Sequence, residues 1–249
     1  MATNSPNLTA ANDLTSRHHH LVAPKWLVMT GLLGMLAALV TGCGEFFLLY
    51  APELNHGPKN NFANFLHPSE ADLHRGYYLG ALGAPFYIAG YWHIVGMLKL
   101  HKTKLGWAIM SLAVFGFMLG MVWLLSNAYQ GLLVQAMAAN TGEAAAALSA
   151  VQNKVEHMSD LLLQAVRVQV LISSLILAIC IFKFDTYYAR WMAIFTPFVL
   201  ILLTFSTLLF MPAIGKYFVP EALNVAHFIF FTLSTLFAFK AYKLSLIHI

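Results

Sequence analysis

Residues 26–50 read WLVMTGLLGMLAALVTGCGEFFLLY, an apolar run interrupted by a single charged residue, Glu45. A bilayer's hydrocarbon layer is about 30 Å thick, and a helix needs about 20 apolar residues to cross it. Five further apolar runs follow at 77–98, 105–127, 163–182, 191–211 and 218–239, each bounded by charge, proline or a polar cluster. The whole chain is 59% hydrophobic and 10% charged, too little polar surface to cover a water-soluble domain. The expectation is all-α: one polytopic membrane bundle over residues 25–243, with about six transmembrane helices and the lipid bilayer as its main partner. Pro85 and Pro197 fall inside two of the runs, where proline removes a backbone donor and bends the helix.

The ends of the chain read differently. Residues 1–24 are polar, include His18, His19 and His20, and are expected to form a disordered tail. Residues 244–249, LSLIHI, match the in-frame translation of a sequencing adapter, so His248 enters no argument about ligands. Val40–Cys43 fits a lipoprotein cleavage box, but Phe46–Tyr50 continue the apolar run where such a protein places a polar tether. Cys43 and Cys180 lie near opposite ends of different spans, too far apart for a disulfide.

Lys and Arg near span ends set the orientation, because positive charge is retained on the cytoplasmic side. One side holds nine: Arg17, Lys25, Lys99, Lys102, Lys104, Lys183, Arg190, Lys240 and Lys243. The other holds four: Lys59, Arg75, Lys154 and Lys216. Both termini are therefore expected in the cytoplasm. The net charge of +4 is scattered over span ends rather than gathered in a patch, which argues against a nucleic-acid partner. Residues 140–153, NTGEAAAALSAVQN, are alanine-rich without proline, so the fourth helix should continue beyond the membrane, and the third can do likewise through 129–139. The larger loops, 51–76 and 128–156, are then the outer ones.

Ionisable groups in hydrocarbon need a partner, a cavity or a route to the interface, at about 2.5–3.5 kcal/mol each on insertion scales. Glu45 lies in the outer part of the first span. Asp160, Gln164 and Arg167 share one face of the fourth helix; Glu221, Asn224 and His227 follow each other on the sixth; Asn127, Tyr129 and Gln130 close the third. All fall toward the outer edge, where they would line one outward-facing polar cavity with His56, His67, His74 and Arg75 as a lid. His93 stands apart, deep toward the cytoplasmic side, and cannot share a metal ion with Glu45; nor do His93 and His227 face each other as haem ligands. Plainer readings stay open. Asp160, Glu221 and Glu45 can be interfacial, Arg167 can snorkel, His93 can belong to an aromatic belt, and Asn224 with His227 can fix helix packing.

No HExxH, paired CxxC, P-loop or GxSxG is present, and no metal or cofactor site is indicated. The segment Gly80-Ala-Leu-Gly83 to Pro85-Phe-Tyr87-Ile-Ala-Gly90-Tyr-Trp92-His93, with an acidic residue near the end of the first span, resembles a family of bacterial multi-pass membrane proteins classed as a domain of unknown function. The resemblance implies a bacterial inner membrane and supplies no activity. It singles out Glu45, Pro85, Tyr87, Trp92 and His93.

Three roles remain. The leading one binds or passes a small or lipid-like molecule through the outer cavity, with contacts from Glu45, Asn127, Asp160, Gln164, Arg167, Asn224 and His227. The second is an intramembrane metal-dependent hydrolase using Glu45, His74 and His227. The third is a non-catalytic membrane assembly subunit.

Overall fold

The structure is a computed structural model, which describes residues 24–51 and 63–247. The expected tail at 1–23, His56, Lys59 and His248 lie outside these residues. Among the described residues all regular structure is helical: α1 (Pro24–Leu49), α2 (Glu70–Met97), α3 (Lys104–Ala139), α4 (Gly142–Lys183), α5 (Pro197–Phe210), α6 (Pro212–Phe218) and α7 (Ala222–Ile247). Two 3-10 turns, Ala63–Leu66 and Arg190–Phe195, precede α2 and α5.

Four of these helices, α1, α3, α4 and α7, are long and apolar enough to cross a membrane. The 28-residue α2 is long but less apolar, and α5 has 14 residues. At 1.5 Å per residue α5 spans roughly 21 Å. Pro197 does not bend a helix here. It opens α5 at the first helical position, with Thr196 as N-cap, the one place where a missing N–H costs nothing. Pro85 lies inside α2 with its side chain exposed. Pro212 ends the expected run 191–211, and Pro220 separates α6 from α7, so the last long helix begins at Ala222.

The outside of the bundle is apolar. Leu32, Leu36 and Leu39 on α1, Phe115, Met118 and Val122 on α3, and Ile172, Leu175 and Ile179 on α4 are all exposed. Their spacing of three and four lays one stripe along each helix, and exposed apolar stripes of this length suit lipid rather than water.

Packing between helices rests on small residues. A Cβ added at Gly34 of α1 would stand 2.8 Å from the Cα of Gly90 on α2, and one at Gly44 would stand 2.7 Å from the Gly80 backbone nitrogen. The α1–α2 seam therefore brings two backbones together as only glycine allows. α7 packs beside that seam, where Gly31 meets Thr235, Gly34 meets Phe231 and Gly42 meets Asn224. α1 is antiparallel to both neighbours, and α2 and α7 run in the same sense. The start of α1 and the later turns of α7 thus share one end of the bundle.

At that end the segment after α4 folds back on α2. The Tyr187 amide donates to the Met97 carbonyl (2.9 Å), and Lys99 pairs with Asp185 at 2.7 Å. At the opposite end α2 starts with a capping box: Ser69 accepts from the Asp72 amide, and Asp72 accepts from the Ser69 amide. Beyond this end α3 and α4 continue as a hairpin, 36 and 42 residues long, joined by Gly142 at φ +64°, a conformation glycine adopts freely. Gln152 bonds Gln130 within the hairpin, and Gln135 donates to the carbonyls of Phe65 and Pro68 at its base.

Candidate functional site

The buried polar residues gather along the contacts of α7 with α1 and α2. Asn224 donates through Nδ2 to Glu45 Oε2 at 2.6 Å, and its Oδ1 accepts from the Tyr87 hydroxyl. The amide orientation follows from its neighbours, since the Glu45 carboxyl oxygen accepts and the phenol donates. One turn along α7, His227 donates from Nδ1 to the Leu223 carbonyl (2.7 Å), leaving Nε2 of the neutral ring to accept from Tyr91 at 2.9 Å. Tyr87 and Tyr91, four apart on α2, meet Asn224 and His227, three apart on α7, because both pairs face the same interface. Phe117 of α3 stacks on Tyr87 and covers the group from the side.

A second group lies nearer the other end. His93 donates from Nδ1 to the Leu27 carbonyl (2.6 Å), its Nε2 accepts from Ser234 (2.6 Å), and the Tyr188 hydroxyl donates to Ser234 (2.6 Å). The order is forced: a carbonyl only accepts, so the neutral ring must accept at its other nitrogen. His93 is fully buried and locks α1, α2, α7 and the segment after α4 together. Trp92 beside it is half-buried, its ring 6.1 Å from that of Trp107.

Glu45 also borders open space. A cavity of about 170 Å³ lies between Glu45 of α1, Trp123 of α3, Leu163, Val166, Arg167 and Val170 of α4, Phe198, Ile201 and Phe205 of α5, and Ala222 and Leu223 of α7. α4 and α5 meet at the loop end, where the Phe198 amide donates to Ser174 Oγ (3.0 Å); the cavity occupies the space between them further along. A smaller cavity on the other side of Glu45 is lined by Thr41, Tyr87, Phe117, Trp123 and Asn224. Thr41 Oγ1 is buried there with no hydrogen-bond partner, as is Glu221 Oε1 near the start of α7.

A model of a family of unknown function, DUF6796, matches residues 23–241. The chain belongs to this family. Neither a curated protein nor a solved structure matches the chain. The DUF6796 match covers every helix from α1 to α6 and most of α7, so both polar groups and both cavities lie within the family's span.

Of the residues expected to act together in this DUF6796 chain, the structure brings Glu45, Asn224 and His227 to one interface and places Arg167 on the cavity lining beside Glu45. Asn127 is buried but donates to the Trp123 carbonyl of its own helix (3.0 Å). Asp160 and Gln164 are exposed and border neither cavity. His67 and His74 are exposed at the α2 end of the bundle, and Arg75 pairs with Asp72. His74 precedes Tyr91, the partner of His227, by roughly 25 Å of helix, so Glu45, His74 and His227 do not converge. Among the described residues no three His, Cys, Asp or Glu side chains are placed to hold a metal ion. Cys43 and Cys180 are free thiols.

Tyr91, Ser234, Tyr188 and Thr41 were not singled out from sequence. Tyr91 had a legible signal, its i, i+4 spacing from Tyr87. Tyr188 had none, since it reaches Ser234 from a connecting segment.

Proposed function

We propose that this chain is a multi-pass protein of a bacterial inner membrane that binds and passes a small lipid-like molecule through the cavity beside Glu45. Six crossings serve it best: the four long apolar helices, α2, and the Arg190–Phe210 stretch in which α5 alone is short. The end that carries Lys25, Lys99, Lys102, Lys183 and Lys240 faces the cytoplasm under the positive-inside rule. Glu45, Asn224 and the start of α7 then lie toward the outside.

The observation that carries the reading is the cavity itself. Its walls are apolar and aromatic, its inner side holds one buried carboxyl group, and Arg167 on its rim is exposed. Binding sites for small molecules are mostly apolar with a few placed polar groups that fix orientation. A purely structural polar pair would be expected to pack without such space. The hydrolase alternative lacks convergent groups.

Native mass spectrometry of the protein released from mild detergent tests this. The wild type should carry a bound molecule that Ile201→Trp, which fills the cavity, removes. An adduct retained in Ile201→Trp, or no adduct in either protein after supplementation with membrane extract, would sink the reading.

A further inference from the structure

The chemical class of the bound molecule follows from the charges around the cavity, given that the cavity is a binding site as read above. Glu45 is 97% buried, lines both cavities, and accepts from Asn224 through one oxygen. Glu221, on the turn before α7, acts on the same region, and its Oε1 is buried without a hydrogen-bond partner. No ion pair reaches either carboxyl group among the described residues. The other groups facing Glu45 are Tyr87 from α2, a neutral donor already engaged with Asn224, His227 from α7, engaged with Tyr91 and Leu223, and Arg167 from α4. Arg167 is exposed and has water and headgroups to meet its charge. In the smaller cavity Thr41 is buried and its Oγ1 has no hydrogen-bond partner.

We infer that the cavity takes an amphiphilic cation, an ammonium-bearing molecule of lipid-like body, with Glu45 as its counter-ion. Trp123, Phe198 and Phe205 supply aromatic walls, and a cation over an aromatic face is attracted by the ring's quadrupole. A lone carboxylate is strongly disfavoured in such surroundings, and one paired with a cation is not. The exchange balances as one proton for one cation: the Glu45 O–H bond breaks, the proton leaves to water through the outer end, and the carboxylate pairs with the bound ammonium. Asn224 keeps its N–H toward Oε2 in both states.

Calorimetric titration of the full chain in nonionic detergent, with dodecyltrimethylammonium as cationic probe and dodecanol as neutral probe, tests this, together with proton release read by a pH indicator in weak buffer. The cation should bind at least tenfold more tightly than the alcohol and release close to one proton per site. Glu45→Gln should lose the cation preference and the proton release while still binding the alcohol, which shows that the variant is folded. If the alcohol binds the wild type as tightly as the cation does, or if Glu45→Gln keeps the proton release, the charge assignment is overturned while the cavity reading stands. If neither probe binds the wild type and Ile201→Trp changes nothing, the cavity reading itself falls.

Discussion

Asn224 on α7 hands an N–H to Glu45 on α1 at 2.6 Å and receives one from Tyr87 on α2, so one amide ties three helices. Among the described residues neither Glu45 nor Tyr87 makes another side-chain hydrogen bond, and both are buried.

Replacing Asn224 by Leu should therefore cost more than its volume suggests. A buried polar group left unsatisfied costs about 1–3 kcal/mol, and two are stranded here. The expected loss is about 2–4 kcal/mol on that scale, read from reversible unfolding in mixed micelles. Adding Glu45→Leu and Tyr87→Phe to this variant should recover part of it, because an apolar replacement of all partners strands nothing. No recovery in the triple variant would show that the amide is not a linchpin.

Ser234 stands between two larger groups, and the order of two substitutions exposes that. Ser234→Ala strands His93 Nε2 and the Tyr188 hydroxyl together, whereas Tyr188→Phe removes one donor and leaves Ser234 bonded to His93. The first should destabilise by about 1–3 kcal/mol and the second by about 1 kcal/mol. The reverse order would mean that the chain does not run from Tyr188 through Ser234 to His93.

Glycine substitution separates the close seam from open space. A Cβ at Gly34 meets the backbone of Gly90 at 2.8 Å, and backbone cannot yield as a side chain does. Gly34→Ala should cost about 1–3 kcal/mol through overpacking. Nothing lies within 4 Å of a Cβ at Gly120, so Gly120→Ala should be neutral or gain up to about 1 kcal/mol, the helix-interior difference between the two residues. The same unfolding titration checks both, and equal effects would refute the seam.

At the first turn of α2, outside the apolar run, the Ser69 hydroxyl holds the Asp72 carboxyl below its ordinary value of 3.8; slight burial opposes this, and the Ser69 amide and Arg75 add to it. A carboxyl group with a depressed native value contributes stability above its unfolded value and loses it as pH falls through the native one. The cap should thus be intact at neutral pH and begin to loosen below about pH 4, near the unfolded value of Asp. Amide exchange at residues 70–73 is the measurement, with faster exchange expected in acid. Asp72→Asn should flatten that dependence, and an unchanged profile in the variant would remove Asp72 as its source.

Much of the architecture is written in composition, because lipid leaves a helix little choice: long apolar runs such as 26–50 and 105–127 must satisfy their own backbone. Thr103 and Ser69 cap α3 and α2 in the structure, though neither was singled out from sequence. What composition cannot express is which face meets which. Asp160, Gln164 and Arg167 share one face by spacing alone, yet that face looks outward, and only Arg167 touches the cavity. Glu45 and Asn224 carry no mutual signal in a single sequence. Pro197 was expected to bend a helix and instead begins one: proline inside an apolar run can do either, and spacing alone does not distinguish them.

The bond between Glu45 and Asn224 also has a consequence in time. The two residues are 179 positions apart, and a ribosome adding about 5–20 residues per second takes roughly 10–40 s to cover that distance. For most of that interval α1 and α2 are already made while the helix that completes their polar contacts does not yet exist. Glu45, Tyr87, Tyr91 and His93 wait as a half-built face, and the nascent protein is most open to a chaperone or a protease then. Synthesis of α7 closes that window for all four residues at once.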